Sequence, residues 1–387
     1  MSSATTNAPI PFIDLKAQRA RLGSAVDEAV LRVVNHGAYV MGPEIVELEK
    51  ALADFSGVAD CVSCGSGTDA LMLYLMAKGI GPGDAVFVPS FTFVATAEIV
   101  ALLGAQPFFV DVEADSFNMD PQSLEASVGQ AKILGLKPVG VIPVDLFGQP
   151  ADYPVLDGIA STHGMWVLAD AAQSYGAQLG NTRVGAFGEA TATSFFPAKP
   201  LGCYGDGGAI LTDNKDLGDL MRSFRVHGQG GDGDKRYTHP RIGMNARMDT
   251  MQAAVLLEKL KIFPDELEAR QRVADRYAAG LGGVVEVPQL RPDRTSAWAQ
   301  YTLRLSGGSD ARDAIQAACK ERGVPTAVYY PIPLHKQEAY DRYPVAPEGL
   351  PVSEALSTSV VSLPMHPYLE EAQQARVIEA VRVGLNG

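Results

Sequence analysis

Apolar residues recur along this chain at two spacings, and the alternation between them organises most of its length. Short apolar runs of strand type occupy residues 60–64, 85–89, 107–112, 139–144, 166–169, 190–195 and 208–212. Segments with helical spacing lie between several of them, at 68–78, 95–103, 122–129 and 153–163. Short, mostly apolar strands alternating with helices predict a largely parallel sheet buried on both faces. Ahead of this region, 10–15 is a short apolar segment and 18–35 carries a helical period at Leu22, Val26, Val30 and Val33. Gly42-Pro43 stops the chain, and 44–55 predicts a further helix with an acidic start.

The last third changes character. Residues 240–245 predict a loop, 247–261 a helix, and 264–281 a strongly charged helix. The boundary between a large α/β domain, 1–263, and a smaller α+β domain, 264–387, is expected there. In 298–305, Ala299, Tyr301, Leu303 and Leu305 fall on one face and Gln300, Thr302 and Arg304 on the other, the mark of a half-buried strand. Residues 309–322 predict a helix closed by Gly323, 325–330 another strand, and 370–385 a final helix.

Composition narrows the function. A net charge of −13 argues against binding a nucleic-acid backbone. No run of 18 apolar residues exists, so no membrane span is expected. The polar start, Met1 to Pro11, lacks a secretory pattern. The four cysteines include one Cys61-x-x-Cys64 pair without a second pair to complete a zinc site; it reads as a redox dithiol or as two buried thiols. The six histidines show no metal spacing. A reduced, cytoplasmic protein without a metal is expected.

Four stretches carry chemistry. Gly65-Ser-Gly-Thr68-Asp-Ala70 follows a strand and opens a helix, so its backbone can approach a phosphate. It also matches the dinucleotide pattern, but the next strand ends Val88-Pro89-Ser90 without the acid that a ribose requires. A monophosphate seat or a tight structural turn remains. Pro89-Ser-Phe-Thr-Phe93 brings two aromatics off a strand top, either to lie on a planar ring or to fill the core. Trp166-Val-Leu-Ala-Asp170 ends an apolar strand in a carboxylate, suited to a cationic ring or to a helix cap. Ser194-Phe-Phe-Pro-Ala-Lys199-Pro-Leu-Gly must turn sharply and holds one lysine among apolar neighbours. It is either a solvated loop lysine or, where desolvation lowers its pKa, a nucleophile. All four fall at strand C-termini, which gather on one sheet edge. A phosphate seat, a stacking ring, an acid for a ring nitrogen and a reactive amine together match pyridoxal 5′-phosphate.

These motifs, with Gly205-Asp-Gly-Gly and Gly243-Met-Asn-Ala-Arg247, resemble the DegT/DnrJ/EryC1/StrS sugar aminotransferases, from Phe12-Ile-Asp-Leu to Ser362-Leu-Pro-Met-His. The resemblance implies a fold-type-I transferase with a seven-stranded, mostly parallel sheet. It implies Lys199 as Schiff-base lysine and proton carrier, Asp170 on the pyridine nitrogen, Gln173 on the ring hydroxyl and Phe93 stacked on the ring. It further implies Gly67, Thr68 and Ser194 at the phosphate, and Asn245 at the phosphate of the neighbouring subunit in a homodimer. Arg225-Val-His-Gly-Gln and Arg236-Tyr-Thr-His-Pro-Arg-Ile-Gly are similar to members that aminate UDP-linked 2-acetamido-3-keto-glucuronic acid for surface polysaccharide, with L-glutamate as donor. In that likeness Arg247 is the candidate cation for the uronate, and Tyr330 and His335 line the sugar pocket. Tyr329 stands where related members often carry histidine, and the loop 228–235 is lengthened with glycine. The alternatives are another nucleotide-linked 3- or 4-keto-sugar, dTDP- or GDP-linked, or a sugar dehydratase; members of that last kind carry histidine in place of the lysine.

Overall fold

The computed structural model describes residues 9–231 and 237–386. The seven apolar runs become the strands of one sheet: β1 Asp60–Cys64, β2 Asp84–Pro89, β3 Gln106–Val110, β4 Lys137–Val141, β5 Trp166–Asp170, β6 Ala190–Ser194 and β7 Gly208–Thr212. Their order across the sheet is β1-β7-β6-β5-β4-β2-β3. Only β7 is reversed: it pairs antiparallel with both β1 and β6, while the pairs from β6 to β3 are parallel. The C-terminal ends of the other six therefore share one edge with the start of β7, where Gly208 lies opposite both Cys64 and Ser194.

Helices cover both faces. Three precede the sheet: α1 Leu15–Leu22, α2 Ala25–His36 and α3 Pro43–Ser56. On one face α4 Gly67–Ala77, α5 Ala95–Leu102 and α8 Lys215–Arg225 bury Leu71, Leu73, Ile99, Leu217 and Met221 against Val62, Val86, Leu168 and Ile210. The other face meets α6 Pro121–Ile133 and α7 Tyr153–His163 through Leu124, Val128 and Leu156. Beyond them α3 and the long α9, Thr250–Leu281, pack through Leu48, Leu52, Leu256 and Phe263. The C-terminal unit holds the antiparallel pair β8 Tyr301–Arg304 and β9 Val360–Leu363, with α10 Gly308–Glu321, α11 Pro351–Ser359 and α12 Glu371–Asn386. No helix among the described residues is long and apolar enough to cross a membrane.

Several expectations change in detail. The single helix at 18–35 is two, broken at Gly23, whose φ is 59°. The charged helix at 264–281 is the second half of α9, which runs through Pro264 without a break, so the expected boundary falls inside one helix. Residues 325–330 form no strand; Ala327 makes a single bridge to Ser362. Within the segment only Ala327 exchanges backbone bonds with Ser362, and prolines at 325, 331 and 333 interrupt the chain at both ends. Strand alternation separates Cys61, packed under α3 and α9, from Cys64, packed under α4 and α8. Both thiols are free and buried, and desolvation raises the pKa of each, so the pair is not a dithiol. Residues 232–235 of the glycine-lengthened loop, and Arg236 at the head of the motif that follows it, lie outside the described residues.

Candidate active site

Between β6 and β7 the chain folds back on itself. Cys203 N–H donates to the Phe195 carbonyl at 2.8 Å and Lys199 N–H to the Phe196 carbonyl at 2.9 Å. A Cβ at Gly202 would stand 2.6 Å from the carbonyl oxygens of Phe196 and Pro197, so only glycine permits the crossing. Helix α9 holds this loop from beneath. Lys259 Nζ donates to the Gly202 carbonyl at 2.6 Å and lies 4.4 Å from the centre of the Tyr204 ring. Tyr204 N–H donates to Gln252 Oε1 at 2.9 Å. The result is a pinned turn that presents Lys199 to the sheet edge.

Burial lowers the pKa of Lys199, and the Asp170 carboxylate opposes part of that shift. Asp170 ends β5 and is buried. Desolvation raises its pKa, while Thr96, the Ala172 N–H and Lys199 pull it back. Thr96 Oγ1 donates to Asp170 Oδ2 at 2.8 Å, and Ala172 N–H to Oδ1 at 3.2 Å. Thr96 was not read as a site residue. Its only signal is one hydroxyl in the first turn of α5, beside Glu98. Gln173, one turn beyond Asp170, accepts from Phe147 N–H at 2.7 Å and faces the Tyr330 hydroxyl at 3.4 Å.

Next along the edge is the start of α4. Ser66 caps it by accepting from Asp69 N–H at 3.0 Å. The first-turn N–H groups of a helix have no intrahelical acceptor, so Gly67 and Thr68 open an anion seat. A Cβ on Gly67 would lie 2.7 Å from Ser194 Cβ, which puts the end of β6 against this seat. The segment 245–247 closes the far side: Gly65 N–H donates to the Ala246 carbonyl at 2.9 Å. Asn245 is exposed. Arg247 makes no ion pair with the described acids, and its Nε is buried without a partner.

Aromatic rings wall the other side. Phe93 is 54% exposed, and its ring centre lies 6.3 Å from that of Tyr330. Tyr330 also meets Phe91, and Tyr329 meets Phe12. His335 spends both ring nitrogens on protein: Nδ1 is 2.7 Å from Ser90 Oγ and Nε2 is 3.0 Å from Glu354 Oε1. It therefore ties the loop after β2 to α11, and neither nitrogen is left for a sugar.

The comparisons with known proteins agree. A profile for the DegT/DnrJ/EryC1/StrS aminotransferase family matches residues 21–382. The chain is 49% identical over 366 residues to UDP-2-acetamido-2-deoxy-3-oxo-D-glucuronate aminotransferase of Pseudomonas aeruginosa, covering 94% of this chain and 97% of that one. It is 39% identical to the UDP-N-acetyl-3-dehydro-alpha-D-glucosamine 3-aminotransferase of Acidithiobacillus ferrooxidans, covering 99% and 100%. A crystal structure of a DegT DnrJ EryC1 StrS aminotransferase from Brucella abortus superposes with a TM-score of 0.93 at 52% identity, covering 96% of this chain and 98% of that one.

Lys259 yields a prediction about pH. It is 1% exposed, and desolvation lowers its pKa to about 8 from 10.5, with Glu266 and Cys203 opposing. Between those values the unfolded chain holds a proton that the folded chain has released, so this group's contribution to stability rises with pH. Urea unfolding of the cofactor-free protein from pH 8 to 10 should show wild type gaining more, by on the order of 1–2 kcal/mol, than Lys259→Met. Parallel curves would contradict the buried charge.

Proposed function

The chain belongs to the DegT/DnrJ/EryC1/StrS aminotransferase family, and from that premise we propose that it transfers an amino group from L-glutamate to UDP-linked 2-acetamido-2-deoxy-3-keto-glucuronic acid, a step toward surface polysaccharide. It is a pyridoxal 5′-phosphate-dependent transaminase. The observation that carries the site assignment is the meeting of half-buried Lys199 and buried Asp170 at one sheet edge, close enough for each to shift the other's pKa. The residues fit the cofactor. Only glycine at position 67 lets Ser194 close on the first turn of α4, and the Phe93 ring keeps an open face.

When bound, the cofactor supplies a conjugated ring that takes up the electron pair left as a proton departs from substrate carbon. The chain's residues do the rest. Lys199, its pKa lowered by desolvation, would offer the amine that anchors the group and would carry the proton between donor and acceptor carbons. Asp170 keeps a proton on the ring nitrogen, and that positive charge favours its own ionised form. Gln173 meets the ring hydroxyl, and Phe93 covers the ring face. The backbone at Gly67 and Thr68, with the Ser194 hydroxyl, holds the phosphate. Asn245, exposed beside this seat, reaches the phosphate of a second copy, which makes the working unit a homodimer with shared sites. Arg247 offers an unpaired guanidinium for the uronate, a bidentate match. Tyr330 borders the sugar. His335 acts on the pocket through Ser90. The protein works in the cytoplasm, where its nucleotide-sugar substrate is made.

One variant tests the seat. Gly67→Ala should lower pyridoxal 5′-phosphate affinity at least about tenfold with an unchanged far-ultraviolet circular dichroism spectrum, because its methyl group pushes Ser194 away from the start of α4. Unchanged affinity would move the phosphate elsewhere.

A second experiment tests donor and acceptor. L-Glutamate alone should shift the absorption of the bound cofactor, since the two half-reactions share one site. With the UDP-linked 3-keto-uronate, Arg247→Met should raise KM about 10- to 100-fold, the loss of a charged hydrogen-bond pair. The change should be small with the neutral UDP-linked 3-keto-N-acetylglucosamine. No spectral shift, or an equal rise for both sugars, would contradict the assignment.

A further inference from the structure

The segment Pro143-Val-Asp145-Leu-Phe147 follows β4 and runs beside the turn Asp170-Ala-Ala-Gln173-Ser174. It grips that turn at both ends. Asp170 N–H donates to the Pro143 carbonyl at 2.9 Å, and Asp145 N–H donates to the Asp170 carbonyl at 3.0 Å. At the other end Phe147 N–H donates to Gln173 Oε1 at 2.7 Å, from a backbone held at φ 62°, a conformation side chains disfavour. Between these points lies a carboxylate that the mechanism does not use. Asp145 is 0% exposed. Its Oδ2 accepts from Ser174 Oγ at 2.6 Å, and its Oδ1 from Tyr153 hydroxyl at 2.7 Å and Ala151 N–H at 2.8 Å.

Those donors come from three places: the site turn, the start of α7 and the chain between. No donor of the three is charged, and a carboxylate this deep is costly without compensation. The hydrogen bonds make up part of that cost; burial, with Asp170 nearby, still raises its pKa to about 7. A serine next to Gln173 and a backbone bond to Asp170 put both cofactor-facing side chains under the control of one buried group.

We propose that Asp145 is a positioning residue: its carboxylate locks the turn that aims Asp170 and Gln173 at the cofactor. It touches neither cofactor nor substrate. The proposal rests on the reading of Asp170 and Gln173 given above, and it concerns geometry, not charge. Asparagine keeps an oxygen for Tyr153 and Ala151 and turns its amide toward Ser174 Oγ, which can accept as well as donate. Alanine removes all three contacts and strands two buried hydroxyls.

The test is titration of cofactor-free protein with pyridoxal 5′-phosphate, followed by the circular dichroism of the bound cofactor, which reports how rigidly its ring is held. Asp145→Ala should weaken binding about tenfold or more and reduce that signal. Asp145→Asn should bind within about threefold of wild type and keep it. Ser174→Ala, which deletes one contact and is tolerated more easily, should weaken binding about threefold, and it carries the test if Asp145→Ala does not fold. Equal affinity and signal in Ser174→Ala, or in a folded Asp145→Ala, would overturn the proposal. So would an Asp145→Asn protein as impaired as the alanine variant, because the effect would then belong to charge. If the wild-type protein itself bound no pyridoxal 5′-phosphate, the site assignment would fail instead, and the two failures are thereby distinguished.

Discussion

Lys199 and Asp170 are a base and an acid at one sheet edge, and desolvation works against the charged form of each. Left to solvent, the amine would be protonated and inert. Paired tightly with Asp170, it would be protonated and held. The fold sets the two groups on different elements: the carboxylate ends β5, while the amine rides the return loop between β6 and β7. Attraction between them survives, but desolvation is the larger influence on each. The remaining site features depend on that separation.

Topology supplies the separation. Reversing β7 between β1 and β6 lets one sheet edge carry the outgoing loops of six strands together with a strand that starts there. The anion seat, the amine loop and the acid then follow from β1 to β5 across neighbouring strands. Rigid elements behind the edge fix each part. Helix α9 anchors the amine loop through Lys259 and Gln252, Thr96 fixes one oxygen of Asp170, and His335 links the loop of Phe93 to α11. Preorganisation of this kind is distributed through buried polar contacts, each of modest strength and costly to leave unmade.

What the sequence displays and what it hides divide along physical lines. All seven strands are legible because a sheet covered on both faces demands apolar runs, and their ends carry the chemistry because side chains there meet solvent and ligand. Lys199, Asp170 and the Gly65–Thr68 turn stand out as chemical residues breaking an apolar pattern. Helix α8 was missed although Asn214 caps it, since its eleven residues are charged overall and sit beside the stronger signal of β7. The break at Gly23 was lost inside a continuous apolar period. The expected strand at 325–330 shrinks to the one bridge between Ala327 and Ser362, in a segment bounded by prolines. Thr96, Asp145, Lys259 and the ties of His335 were invisible for a common reason. Each acts through a partner between 6 and 245 residues away, and no local pattern encodes that pairing.

The claim at the centre is that one amine, Lys199, forms the covalent attachment. Borohydride reduction of the holoprotein, followed by proteolysis and mass mapping, tests it most directly. The account predicts a single pyridoxyl modification on the peptide that contains Lys199. A label on Lys259 or on any other lysine, or a protein that takes up no label, would contradict it.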